Sequence, residues 1–267
     1  MRFGNCISYK DLHCIEILKK TGFDYVEIPV APVYNADMSE VSAFLNSLEK
    51  NNIRCEAVNV LFMGGIILTG DKADISVTTE YLKKLFDKTK DFGYEIVVFG
   101  SGGARRYPEG FPKDKAIKQI IDLTKNILSE YAEKYNFTIA IEELNRNETN
   151  IINTLSEVKY IVDEVNSPRI KLLADLYHIG LENDDISQLA DYGDIIAHCH
   201  IGNPQSRHYP HKNAADEMLS KFKEFFGALK LAGYDKRMSI EASLGAISND
   251  FEEESRLSLE FMKTLCN

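Results

Sequence analysis

Short runs of β-branched and aromatic residues alternate eight times with longer stretches whose apolar positions recur at helical spacing, and this alternation predicts the elements of the chain. Strands are expected over 2–8, 25–30, 54–61, 95–101, 138–144, 170–177, 194–201 and 237–243, with helices near 11–21, 38–51, 74–91, 113–134, 154–165, 183–191, 213–231 and 250–265. The junctions agree, since Thr21-Gly22-Phe23, Phe92-Gly93 and Ala232-Gly233 each put a helix-ending glycine shortly before a strand. Eight βα units in 267 residues, with no linker or low-complexity stretch between them, predict an α/β fold made of a single (β/α)8 barrel, one domain over 1–267. No Gly-x-Gly-x-x-Gly or Walker-type loop follows the first strand, which weakens dinucleotide- and nucleotide-binding alternatives.

Four strands of the C-terminal half end on residues able to bind a metal: Thr138-Ile-Ala-Ile-Glu142, Lys171-Leu-Leu-Ala-Asp175, Ile195-Ile-Ala-His-Cys-His200 and Met238-Ser-Ile-Glu241. An apolar strand that stops on an acid is costly to bury unless something pairs with the charge, and a metal ion does so. Side-chain alternation sets the facing. Ile139 and Ile141 oppose Ala140 and Glu142, and Met238 and Ile240 oppose Ser239 and Glu241. Large aliphatics suit the helix-facing side, so Glu142, Glu241, His198 and His200 are expected to point inward, with Ala197 and Cys199 outward. Glu143 falls on the outer face, as a rim group or one that supports a ligand from behind, and His198, deeper in its strand, is expected to be structural.

Charge narrows the partners. With 31 Lys and Arg against 41 Asp and Glu, the net charge is -10 and the pI near 5.2, which disfavours a broad surface for nucleic acid. Cys6, Cys14, Cys55, Cys199 and Cys266 form an odd set without paired metal spacing, and Met1 leads directly into a strand. A cytoplasmic protein with reduced thiols is expected. No apolar run approaches the roughly 20 residues of a membrane helix.

Three carboxylates and one imidazole make an oxygen-rich set that suits Mn2+ first, then Mg2+ or Co2+. Strands five and eight face each other across much of an eight-stranded mouth, so Glu142 and Glu241 can flank one ligand while Asp175 and His200 complete the shell. A divalent ion there can chelate neighbouring oxygens of an α-hydroxy ketone, acidify the C–H between them and hold the resulting cis-enediolate. One glutamate removes the proton and the other delivers it on the opposite face. The expected reaction is epimerisation or aldose–ketose isomerisation of a ketose or keto-polyol without an organic cofactor.

The segments Ala140-Ile-Glu-Glu-Leu-Asn-Arg-Asn-Glu148, Asp175-Leu-Tyr-His178, His198-Cys-His200 and Ile240-Glu241 resemble those of the xylose-isomerase-like TIM barrels, most closely the ketose 3-epimerases of D-tagatose, D-psicose and L-ribulose type. The resemblance implies Glu142, Asp175, His200 and Glu241 as metal ligands, Glu142 and Glu241 also as the acid/base pair, and Glu148, His178 and an arginine after strand seven as sugar contacts. The family arginine falls six residues after the metal histidine, where this chain has Ser206, with Arg207 next. The segment Gly100-Ser-Gly-Gly-Ala-Arg-Arg106 departs from those epimerases and looks more like isomerase or dehydratase relatives. Arg105 and Arg106, beside a Gly-Gly turn after strand four, are expected either to hold a phosphate or carboxylate at the far end of a substrate or to be an exposed pair.

The alternative is a metal-dependent dehydratase of a keto-inositol-type polyol, which would use the same ligands. A DNA-repair endonuclease of the superfamily would need histidines that the ends of strands three and four, Val58-Asn-Val-Leu61 and Phe99-Gly-Ser101, do not supply. A non-catalytic sugar-binding barrel would not need both glutamates. The expected partner is a small-molecule sugar, without nucleic acid or membrane; its identity, its phosphorylation and a homo-oligomeric state are left open.

Overall fold

The computed structural model describes residues 1–266, and in it all eight expected strands form. They are β1 (Arg2–Cys6), β2 (Tyr25–Pro29), β3 (Arg54–Asn59), β4 (Ile96–Phe99), β5 (Thr138–Glu142), β6 (Ile170–Asp175), β7 (Ile196–Ile201) and β8 (Arg237–Ile240). Each pairs in parallel with its sequence neighbour, and β8 closes on β1, giving a closed (β/α)8 barrel. The outer helices are α1 (Leu12–Thr21), α2 (Met38–Asn51), α3 (Ile75–Thr89), α4 (Gly102–Arg105), α5 (Lys113–Leu123), α6 (Ser129–Tyr135), α7 (Leu155–Val165), α8 (Leu176–Glu182), α9 (Asp216–Leu231) and α10 (Phe251–Cys266). None among the described residues is long and apolar enough to cross a membrane.

Local chemistry explains several boundaries. Asp37 and Glu40 form a reciprocal capping box at the start of α2, and the Thr154 hydroxyl accepts from the Glu157 amide at the start of α7. Several strands end sooner than expected, and one of these ends has a clear cause. Strand six stops at Asp175, because its carboxylate accepts the Tyr177 amide at 2.8 Å and starts α8 at once, whereas the helix expected over 183–191 is only a 3-10 segment at Ile186–Asp191.

The strand faces separate two apolar layers. Ile139, Ile141, Met238 and Ile240 pack outward with the helices, while Tyr25, Ala57, Ile96, Val98, Ala140, Leu173 and Ala197 fill the barrel. Ala197 thus corrects the simple alternation, since the β6–β7 register jumps from Leu172↔Ile196 to Leu173↔His198 and leaves both Ala197 and His198 inside. A matching jump in β2–β3, from Val26↔Cys55 to Glu27↔Ala57, displaces Glu56. Gly4 is a glycine for a steric reason: a Cβ there would lie 2.2 Å from the Tyr25 ring, which occupies that space inside the barrel.

Candidate active site

At the C-terminal mouth the ends of β5, β6, β7 and β8 converge. Glu142, Asp175, His200 and Glu241 each offer a ligand atom, and these atoms all lie within 4.8 Å of one another. His200 Nδ1 stands 3.3 Å from Glu142 Oε1 and 3.4 Å from Glu241 Oε2. Glu142, Asp175 and His200 are buried, whereas the Glu241 side chain keeps 21% of its surface open and marks the solvent side. Gly100 makes room for Glu142, since a Cβ there would fall 2.1 Å from Glu142 Oε2.

The donors fit a hard divalent cation. Asp175 spends Oδ1 on the Tyr177 amide, leaving Oδ2 buried without a hydrogen-bond partner. Burial and the neighbouring Glu142 and Glu241 charges push Asp175 up to about 7. Glu142 is likewise raised, first by burial. Burial opposes ionisation of Glu241 too, but His200 and Arg207 hold it down at about 2. Oxygen donors plus one imidazole, with a buried oxygen lacking a hydrogen-bond partner among the described residues, suit a hard divalent cation.

Around this cluster sit the residues expected to meet a sugar. His178 is fully buried; its Nδ1 accepts from the Asn145 backbone and side-chain amides at 3.2 and 2.8 Å, so its Nε2 bears the proton and points toward Asp175 Oδ2 at 3.6 Å. Burial, then Arg207, lower its pKa to about 3, keeping it neutral. Arg207 reaches the site despite its shifted position. Its Nη2 donates to Glu241 Oε2 at 2.6 Å and its Nη1 to Glu148 Oε1 at 3.1 Å, with the guanidinium 4.9 Å from the Tyr177 ring centre.

Arg105 is not where the sequence suggested. It is wholly buried, donating to the Phe99 and Ile152 carbonyls at 3.2 and 3.3 Å, and is closed to any substrate phosphate. Adjacent Arg106 is exposed, with Nη2 3.5 Å from the Asn147 carbonyl. Glu143, expected at the rim or behind a ligand, is buried and takes the second place, accepting the Asp175 amide at 2.8 Å. The sequence reading also passed over Glu27, whose carboxylate lies 2.8 Å from both His198 Nε2 and His200 Nε2, and Asn59, whose Nδ2 donates to Glu241 Oε1 at 3.3 Å. The signal for Glu27 was an acid inside the apolar run Tyr25-Val-Glu-Ile-Pro29, on the same face as Tyr25.

Comparison with known proteins agrees with this architecture. The profile of the xylose isomerase-like TIM barrel family matches residues 15–265. L-ribulose 3-epimerase of Methylomonas sp. strain DH-1 is 27% identical over 234 residues, covering 84% of this chain and 75% of that protein. A 3-dehydro-D-guloside 4-epimerase of Escherichia coli K12 is 25% identical over 148 residues, 55% of this chain and 53% of that protein. The crystal structure of D-psicose 3-epimerase with D-tagatose from Clostridium cellulolyticum H10 superposes over 100% of both chains with a TM-score of 0.84 at 19% identity, a likeness of fold.

Proposed function

The chain belongs to the xylose isomerase-like TIM barrel family, and we propose that it is a divalent-metal-dependent carbohydrate epimerase that acts on a ketose by proton transfer. The observation that carries this reading is that Glu142 and Glu241, from strands on opposite sides of the mouth, approach one imidazole nitrogen at 3.3 and 3.4 Å, so a single small substrate can lie between two carboxylates.

Glu142, Asp175, His200 and Glu241 would hold the metal, Mn2+ in first place. When bound, the ion would polarise a carbonyl and its neighbouring hydroxyl and lower the energy of the negative charge left by C–H ionisation. One of Glu142 and Glu241 takes the proton from the carbon and the other returns one to the opposite face, which inverts that centre. His178 Nε2–H is placed to donate to a substrate oxygen. Arg207 and Glu148, already bonded to each other, offer a donor and an acceptor to hydroxyls further out and align the carbon with the two acids. Glu142, which has no lysine or arginine within ion-pair distance among the described residues, would depend on the metal and on His200 for its charge balance.

Relatives differ in which carbon is inverted, with 3-epimerase and 4-epimerase names among them, so the decisive measurement locates the labile hydrogen. The protein, loaded with Mn2+ in deuterated water, is incubated with a panel of ketoses. Deuterium at C3 accompanied by the C3 epimer is the expected result. Deuterium at another carbon moves the reaction there, product formed without solvent deuterium removes proton exchange from the mechanism, and loss of water from the product replaces epimerisation with dehydration.

A further inference from the structure

Directly beneath the four clustered residues lies Glu27, to which the proposed reaction gives no task. It is wholly buried, and its partners within ion-pair distance are two histidines rather than a lysine or arginine. Its Oε1 meets His200 Nε2 at 2.8 Å, while Oε2 meets His198 Nε2 at 2.8 Å and accepts from Ser239 Oγ at 2.6 Å, with Tyr25 hydroxyl 2.9 Å from that Oγ. Oε2 is therefore held by His198 and Ser239, which do not belong to the mouth, while Oε1 faces the mouth residue His200.

We propose that Glu27 is a positioning residue that fixes the tautomer and ring orientation of His200 for metal binding, an inference that rests on the metal reading above. A neutral imidazole carries one N–H and one lone pair, and a carboxylate only accepts. The nitrogen facing Glu27 must then bear the hydrogen, which leaves the Nδ1 lone pair directed at Glu142 and Glu241. His198 and Ser239 keep the carboxylate from rotating away. A second cation site is the competing use, because Cys6, Glu27 and His200 also lie within 4.8 Å of one another. Against it, Glu27 and His200 already satisfy each other at 2.8 Å, and the Asn59 side-chain amide donates to Cys6 Sγ at 3.5 Å.

Titration of the metal-free protein with Mn2+ in a calorimeter tests the assignment. The parent should bind one ion per chain. Glu27→Gln, whose amide can turn an NH2 toward His200 and favour the other tautomer, should weaken binding about 10- to 100-fold. Its metal-free melting temperature should fall by a few degrees at most, the scale of weakened buried hydrogen bonds, while the chain still folds. Side-chain 15N spectra of the Mg2+-saturated protein should show one His200 tautomer in the parent and a mixture in Glu27→Gln. Ser239→Ala, a milder change, should cost several-fold in affinity and serves if Glu27→Gln does not fold. Affinity within about twofold of the parent in both variants, or a fallen melting temperature with unchanged affinity, would overturn the proposal, as would two ions per chain falling to one in Cys6→Ser. A parent that binds no Mn2+ refutes the metal reading itself, whereas a loss or its absence only in the variants speaks to Glu27.

Discussion

The two ends of the barrel treat acidic side chains in opposite ways. At the floor, Glu56 is gripped by Arg2 and Arg237 at 2.5 and 2.7 Å, and Glu95 by Arg54 and Arg237 at 3.3 and 2.7 Å, so each acid has its guanidinium. At the mouth, Glu142 and Asp175 have histidines but no lysine or arginine within ion-pair distance among the described residues, and Arg207 serves Glu241. The backbone divides the same way. Left-handed positions that close helices toward the floor are Gly22, Asn52, Gly93, Asn136, Asn166 and Gly233, residues that tolerate that conformation. Those in the mouth loops include Val60, Ser101, Ile152 and Arg207, which tolerate it poorly. The floor is neutralised and relaxed by its own residues. The mouth gathers carboxylates that only histidines and Arg207 face, on loops with strained backbone, which suits the proposed cation and ligand.

The largest effect should come from setting the two ends against each other. Glu142→Gln and Glu241→Gln are each expected to lower turnover roughly 10²-fold or more while substrate still binds, since each removes a carboxylate to which the proposed reaction assigns proton transfer. Glu56→Gln should leave turnover near the parent's and cost about 1–3 kcal/mol of stability through the donors it leaves underused. Steady-state kinetics beside thermal melts separates these outcomes. A floor variant that loses turnover like the mouth variants would dissolve the contrast.

The proposed metal supplies the next effect. An ion that binds only the folded chain stabilises it by about 2.7 kcal/mol at a hundred times its dissociation constant, so Mn2+ should raise the melting temperature and a chelator reverse the gain. His200→Ala should abolish that increment. If it kept the full increment, the ion would be bound elsewhere.

Much of the barrel was legible because its strands are short apolar runs punctuated by glycine, and Glu142, Asp175, His200 and Glu241 stood out because each ends such a run. What escaped was decided by tertiary geometry. Glu27 lies inside its strand, and only closure of the barrel sets His198 and His200 against it. Ala197 turned inward through a register jump that alternation cannot anticipate. Arg105 and Arg106 look equivalent in the sequence, yet the short helix α4 buries the first and exposes the second.

That difference between neighbouring arginines is itself testable. The Arg105 guanidinium ties the end of β4 to Ile152, whose carbonyl also accepts the Leu144 amide in the loop that carries Asn145 and Glu148. Arg105→Met should cost about 2 kcal/mol, the scale of losing charged hydrogen bonds offset by removing a buried charge, and should raise KM by loosening Glu148. Arg106→Ala should change stability by less than about 0.5 kcal/mol. Equal effects on the free sugar in both variants would show that the buried guanidinium does not hold the loop.

The smallest expected effect reads the strain directly. Val60 sits at φ 49 beside Asn59, is 40% exposed and so gives up little packing when changed. A β-branched residue in that region is strained, whereas Asn adopts it readily. Val60→Asn should therefore gain up to about 1 kcal/mol, a rise of a few degrees in melting temperature. The reciprocal change at the floor, Asn52→Val at φ 47, should lose about 1–2 kcal/mol. If the strain at Val60 holds Asn59 against Glu241, the stabilised variant should also turn over more slowly, because relaxing the loop lets the Asn59 amide move off the Glu241 carboxylate that it now contacts at 3.3 Å. Equal stability losses at both positions would show that the mouth is no more strained than the floor, and the backbone half of the contrast would fall while the charge half stood.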